Sequence, residues 1–227
     1  MKIACIGDLH GVNRWKAALD LSVDHYVFVG DFVDSHVFDD DTILKNFEDV
    51  LRLKKEHPST VSLLLGNHDV QYMYHPDFRG SGFRPSMLDA LRSLFGENET
   101  LFQIAYSYRS FVFTHAGLHR RWVDSHIGTF KGPSDLVRKL NAMLTEPSRR
   151  QRLGEIGLAR GGRDAFGGPL WCDFDLELTV DPCPGIDQVV GHTQRKFLGR
   201  VDQSGNTLYN VNYLAYSLEP IFVLELN

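Results

Sequence analysis

The sequence predicts an α/β fold in which parallel strands are joined by crossover helices. Three observations carry this prediction. Short apolar runs at 3–6, 26–29 and 61–65 read as buried strands, segments of helical periodicity lie between them, and each run stops at a glycine followed by polar residues. The first 70 residues therefore alternate strand, helix, strand, helix, strand, an order that calls for parallel pairing.

Each element has its own justification. Trp15, Ala18, Leu19 and Val23 fall at roughly helical spacing after Asn13, a candidate N-cap. Ile43, Leu44, Phe47, Val50, Leu51 and Leu53 make an amphipathic helix over 41–56, stopped near Pro58. Residues 72–85 are aromatic, glycine-rich and arginine-bearing, and read as a long loop; Pro85 begins a helix through Leu94. Two short strands are expected at 101–105 and 109–114, and residues 134–157 are mostly helical and charged, outside the main sheets. The run Arg160–Gly168 is too rich in glycine for regular structure. A strand at 188–190 follows, and then three antiparallel strands at 197–201, 207–211 and 221–226, with a turn at 202–205. No repeat or linker interrupts the 227 residues, which read as one domain.

Composition sets bounds. Hydrophobic residues are 43% and charged residues 23%, as in an ordinary soluble globular protein. A net charge of -5 argues against general nucleic-acid binding. No apolar run approaches the ~20 residues that span a bilayer, and the N-terminal run, broken at Gly7-Asp8, is not a signal peptide. Cys5, Cys172 and Cys183 are an odd number without CxxC spacing, expected as reduced thiols in a cytoplasmic protein.

Five strand ends share one pattern, an apolar run that gives way to small residues and metal-competent side chains. They are Gly7-Asp8-Leu9-His10, Gly30-Asp31-Phe32-Val33-Asp34, Gly66-Asn67-His68-Asp69, His115-Ala116-Gly117 and Gly191-His192. In an extended chain Asp8 and His10 project to one side, beyond the carboxyl end of the first strand, where open α/β sheets keep their ligand sites. Any one such pair is more often a turn cap than a ligand. Five in order are a signal. Carboxylates mixed with imidazoles suit Mn, Fe or Zn. The set divides between two adjacent metals: Asp8 and His10 on one, Asn67, His115 and His192 on the other, and Asp31 bridging. Two metals ~3.5–4 Å apart clamp a phosphate oxygen and activate a shared water. His68 follows Asn67, so its side chain diverges from the metal toward a leaving group, as a general acid would.

These motifs resemble those of the calcineurin-like metallophosphoesterase superfamily, and most closely its bacterial phosphoprotein phosphatase and diadenosine tetraphosphatase branch. They run from residue 7 to 193, nearly the whole chain. The resemblance implies two packed mixed β-sheets flanked by helices, a four-layer sandwich with a dimetal centre at the strand ends. It makes Asp8, His10 and Asp31 ligands of one metal, and Asp31, Asn67, His115 and His192 ligands of the other. His68 becomes the catalytic acid, held by Asp34. The implied cofactors are two divalent ions, manganese first, with iron or zinc as alternatives.

Two departures stand out. Phosphoprotein phosphatases usually follow the second motif with a phosphate-gripping arginine, whereas here Ser35-His36 follows. Gln194 stands after Gly191-His192-Thr193, where many other members place a second histidine, which favours the phosphatase-like branch. Arg160 and Arg163, before Pro169-Leu170-Trp171, resemble the arginine- and tryptophan-bearing stretch of bacterial phosphatases. They are either substrate-binding groups or solvated arginines of a flexible loop. Arg79 and Arg84 are further candidates of the same kind. His36, His75, His119 and His126 fall outside the motifs and read as surface or supporting imidazoles; His25 and His57 read as structural. No GxGxxG, P-loop, HExxH or GxSxG is present.

The expected function is dimetal-dependent hydrolysis of a phosphate monoester by a serine/threonine phosphoprotein phosphatase-like enzyme. A dinucleoside polyphosphate hydrolase and a small-metabolite phosphatase share the core, and the loops about 72–85 and 118–168 decide among them. A non-catalytic metal-dependent binding protein is the rival from another class, and it predicts degraded ligand positions that this sequence does not have. The expected partner is a phosphorylated substrate, not a membrane.

Overall fold

In the computed structural model, residues 1–226 are described. Ten strands form two five-stranded mixed sheets. In the first, β1 (Lys2–Ile6), β2 (His25–Phe28), β3 (Val61–Leu64) and β4 (Phe102–Gln103) run parallel, and β10 (Phe222–Glu225) pairs antiparallel with β1. The second has the order β5 (Ala105–Tyr108), β6 (Phe111–Thr114), β7 (Asp187–Val190), β9 (Asn206–Asn210), β8 (Gly199–Gln203). Its inner pairs β6–β7 and β7–β9 are parallel, while β5 and β8 are antiparallel edges.

The sheets pack face to face because the strands alternate two apolar faces. Ile3, Cys5, Val27, Val29 and Leu64 of one sheet meet Phe111, Phe113 and Val189 of the other in a single buried cluster. The intervening Ala4, Ile6, Phe28 and Leu63 face outward into a larger core shared with the helices. Strands buried on both faces explain why the sequence shows continuous apolar runs instead of alternation. The two mixed sheets flanked by helices are the architecture that the motifs implied.

Helix α1 (Asp40–Glu56) begins where Asp39 accepts the Thr42 N–H at 2.8 Å, with Asp40 and Asp41 in its positive first turn and Lys54 and Lys55 in its last. Phe47 of α1 and Phe95 of α3 (Leu88–Glu97) stack with Phe32 and Phe102 over the first sheet. On the second sheet, α5 (Pro133–Ala142) ends near Asn141, whose side chain takes the N–H groups of Ile104 and Ala105 and donates to the Ala105 carbonyl.

Several expectations require correction. Residues 14–20 form a 3-10 helix, and Asn13 makes no side-chain cap. The third motif is not a strand tail: Asn67 opens a short helix, α2 (Asn67–Met73), whose N-terminus Asp69 caps by accepting the Gly66 N–H at 2.8 Å. The stretch 101–105 divides between sheets, β4 in the first and β5 in the second. Helix α4 (Arg120–His126) and a π-turn at Phe174–Leu178 were not anticipated, and α6 (Pro147–Leu153) completes the helical segment. The last three strands are not one antiparallel set. β8 and β9 form a hairpin through Ser204-Gly205, both at positive φ, but β10 crosses to the first sheet. All three cysteines are buried and unbridged.

Candidate active site

The carboxyl ends of β1, β2, β3, β6 and β7 converge, and backbone strain marks the convergence. His10, Asp31, Asp34 and His192 sit at φ of 44°, 55°, 60° and 60°, the left-handed region that non-glycine residues seldom occupy. Such positions cost on the order of 1–3 kcal/mol each and persist where surroundings over-determine them. Glycines make room for the turns: an ideal Cβ on Gly66 would lie 2.1 Å from Asp31 Oδ1, and one on Gly191 would lie 2.1 Å from Asp8 Oδ1.

His10 sits at positive φ, so Asp8 and His10 do not lie on a continued extended strand. Pairwise projection holds only in extended chain, and β1 ends at Ile6. Asp8 turns toward β7 and β9, accepting the His192 N–H at 3.0 and 3.1 Å and the Asn212 amide at 2.7 Å. His10 turns toward β2. Its Nδ1 lies 3.1 Å from the Val33 carbonyl and 3.0 Å from that of Asp34, so the proton belongs on Nδ1, leaving Nε2 a free lone pair 3.7 Å from Asp31 Oδ2.

Asp31 is the centre of the arrangement. Its Oδ1 accepts the His68 N–H at 3.0 Å, and its Oδ2 lies 3.4 Å from His115 Nε2. Burial works against its charge, but the imidazoles of His115, His68, His10 and His192 outweigh burial and hold its pKa below the usual carboxylate range. His115 Nδ1 is 2.9 Å from the Val29 carbonyl, which fixes its proton there. Its Nε2 then meets Asn67 Oδ1 at 2.9 Å and His192 Nδ1 at 3.1 Å.

These contacts test whether divalent cations fit. His115 Nε2, Asn67 Oδ1 and Asp31 Oδ2 converge, a set of acceptors that either a proton on Nε2 or a bound cation satisfies. Two groups have ligand atoms all within 4.8 Å of one another: His10, Asp31 and His68, and Asp31, His115 and His192. Asp31 belongs to both. Asp8 is in neither group, its oxygens accepting the His192 N–H and the Asn212 amide. The Nε2 of His192 is buried without a partner. Burial first, and then the neighbouring His115 and Arg160, press the His192 pKa well down, leaving a neutral ring suited to coordination.

His68 lies against His10, ring centroids 5.0 Å apart and edge to face. Its Nδ1 is 2.8 Å from Asp34 Oδ2, the pairing that the family resemblance implied. Burial opposes its charge, but Asp31 and the Asp34 hydrogen bond prevail and raise it to about 9. Bound cations would share the charge of Asp31 and draw that value down. A ring held protonated is a poor ligand and a ready proton donor.

Supporting residues were missed in the sequence. Asp34 also accepts from Gln71 Nε2 and the Tyr72 hydroxyl, both from α2. Asp69 accepts the N–H groups of Asp31, Phe32 and Gly66 at 2.8, 2.9 and 2.8 Å, tying the end of β2 to the end of β3. Its place as the last residue of Gly66-Asn67-His68-Asp69, three after a glycine N-cap, was the available signal. Asn212 had none.

The candidate arginines separate. Arg160 Nη2 donates to Thr193 Oγ1, next to His192, while its Nε lies 2.8 Å from Asp173 Oδ2. Arg163 is exposed and makes no hydrogen bond or ion pair among the described residues. Arg84 is spent on structure, reaching Asp40 Oδ1 at 2.5 Å and the carbonyls of Ser35 and Phe38. Ser35, where the phosphate-gripping arginine was expected, accepts the N–H groups of Val37 and Phe38 and shapes the turn. The other histidines pack elsewhere: His119 stacks on Phe166 at 4.0 Å and His126 pairs with Glu155 at 2.9 Å.

Strand ends of an α/β sandwich here gather imidazoles and carboxylates that could hold metal ions around a shared aspartate. The model of the calcineurin-like phosphoesterases matches residues 1–195, and the chain belongs to that family. It is a hydrolase of phosphoesters. Among solved structures, the cold-active protein-tyrosine phosphatase of a psychrophilic Shewanella is similar over 99% of this chain and 75% of its own, at 17% identity and a TM-score of 0.63. A serine/threonine protein phosphatase from Saccharomyces cerevisiae is similar over 91% of this chain and 65% of its own, at 14% identity and a TM-score of 0.55. At these identities the likeness is one of fold. No helix among the described residues is long and apolar enough to cross a membrane.

Proposed function

We propose that this protein is a dimetal phosphomonoesterase of the phosphoprotein-phosphatase type, built as one domain with specificity loops about 72–85 and 118–168. The observation that carries the reading is the sharing of Asp31 between two metal-competent groups, with the His68–Asp34 pair alongside. Asp31, His115, His192 and Asn67 would hold one divalent ion, and His10 and Asp31 the other. Asp8 would complete that second set by turning from Asn212. Manganese suits these ligands, as do iron and zinc.

Bound there, two such ions supply Lewis acidity to the phosphoryl oxygens and lower the pKa of water. The chain's own groups do the rest. His68 gives a proton from Nε2 to the departing oxygen while Asp34 holds Nδ1 and fixes the ring. Gln71 and Tyr72 keep Asp34 from turning away. Arg160, from its seat on Thr193 and Asp173, is the guanidinium within reach of an equatorial oxygen beside His192. Three buried, unbridged cysteines support a cytoplasmic location.

The test pairs metal analysis with a Mn²⁺-supplemented substrate panel of phosphopeptides, dinucleoside polyphosphates, cyclic nucleotides and sugar phosphates. Two metals per chain and hydrolysis of a monoester are expected. Two metals with no hydrolysis of any phosphoester would return the protein to a binding role.

A further inference from the structure

The cleft that opens beside His68 and His10 has a volume of roughly 380 Å³; Ser81, Gly82 and Gln194 line part of it, and its aromatic lining comes from two other segments. One is the turn after β2, with His36 and Phe38; the other is the stretch after β9, with Ala215 and Tyr216. No lysine or arginine lines it. Apart from the site's own His10 and His68, His36 is its sole cationisable side chain. A polyphosphate would bring further negative charge beside the reacting phosphoryl group, and anionic oxygens leave water only for cations or clustered N–H donors.

The lining offers aromatic surface instead. Phe38 lies over Gly11, where an added Cβ would meet its ring at 3.2 Å. Tyr216 is 51% exposed, its surface open to the cleft. Both segments are pinned from outside by an arginine that spends its donors on backbone carbonyls. Arg84 takes those of Ser35 and Phe38, and Arg14 takes those of Leu214 (2.8 Å), Ser217 and Glu219 (3.3 Å). A ring carried on pinned backbone loses little freedom when a ligand packs against it.

Resting on the phosphomonoesterase reading above, we propose that this cleft selects phosphomonoesters of aromatic alcohols. Phe38 and Tyr216 contact the leaving group, and Arg14 and Arg84 are positioning residues for the segments that carry them. The chemistry is met by a phosphotyrosyl side chain and by a free aryl phosphate alike; a phosphotyrosyl peptide and phenyl phosphate separate the two sources.

The test measures kcat and KM of the Mn²⁺-loaded enzyme on phenyl phosphate, a phosphotyrosyl peptide, ethyl phosphate and diadenosine tetraphosphate. The expected order places both aryl esters above diadenosine tetraphosphate in kcat/KM. Tyr216→Ala, at a half-exposed position that does not endanger folding, should lower the phenyl-over-ethyl ratio of kcat/KM about three- to tenfold, through KM, the size of an aromatic contact. Arg14→Ala should lower the same ratio, and Arg14→Lys should restore part of it. An unchanged ratio in Tyr216→Ala, or a wild-type preference for diadenosine tetraphosphate, overturns the proposal while leaving the phosphoesterase reading intact. Hydrolysis of none of the four with two metals bound overturns both.

Discussion

At the scale of single residues, His68 and Asp31 divide the work that proximity might confuse. Both sit in the group with His10, yet His68 is anchored through Nδ1 to Asp34 and Asp31 is shared by four imidazoles. His68→Asn should keep both metals and lose on the order of 10²–10⁴ in kcat on alkyl phosphates, the usual contribution of a general acid. The loss should be smaller on p-nitrophenyl phosphate, whose leaving group needs little protonation; equal losses on both substrates would remove His68 from the acid role. Asp31→Asn should act earlier, lowering metal content by elemental analysis before any rate is measured. A variant that holds two metals normally would show that Asp31 does not bridge.

At the scale of elements, the strands and α1 were legible because apolar period and capping residues agree along them. The element that carries His68 was not. Gly66-Asn67-His68-Asp69 reads as a strand's polar end, whereas the Asp69 carboxylate, reaching back to the Gly66 N–H, and the Val70 N–H bonded to the Gly66 carbonyl show that a helix has begun. Likewise, one stretch from Phe102 to Tyr108 serves two sheets, and nothing local marks the crossing at Ile104. The metal-competent residues were legible as types, whereas the positive φ at His10, Asp31, Asp34 and His192 that sets their directions is a backbone property that composition does not encode. At the opposite end of β2, His25 bonds Ser62 at 3.0 Å and stacks on Tyr106 of the other sheet at 4.8 Å. Burial, and then Lys54, depress its pKa from 6.5 to about 4. The unfolded chain therefore binds this proton at higher pH than the folded one, so its contribution to stability is complete above about 6.5 and lost as pH falls through about 4. His25→Gln should shrink the drop in Tm between pH 7 and pH 4.5; an unaltered drop would place that acid sensitivity elsewhere.

At the scale of the whole molecule, the site is what joins the two sheets at one end. If divalent ions bind these converging ligand atoms, they bind the folded chain, and a ligand that binds only the folded state raises apparent stability by mass action. Adding Mn²⁺ to chelator-stripped protein should raise Tm, and Asp31→Asn should blunt the rise; a Tm indifferent to metal would detach the site from folding. The parts of that site come from far apart in the chain. Asp8, held by the N–H of His192 and the amide of Asn212, has a partner 204 residues away. The first motif's carboxylate is therefore placed only once the segment through Asn212 has been made. A site assembled from both ends of the described chain is one that a fragment lacking either end does not complete.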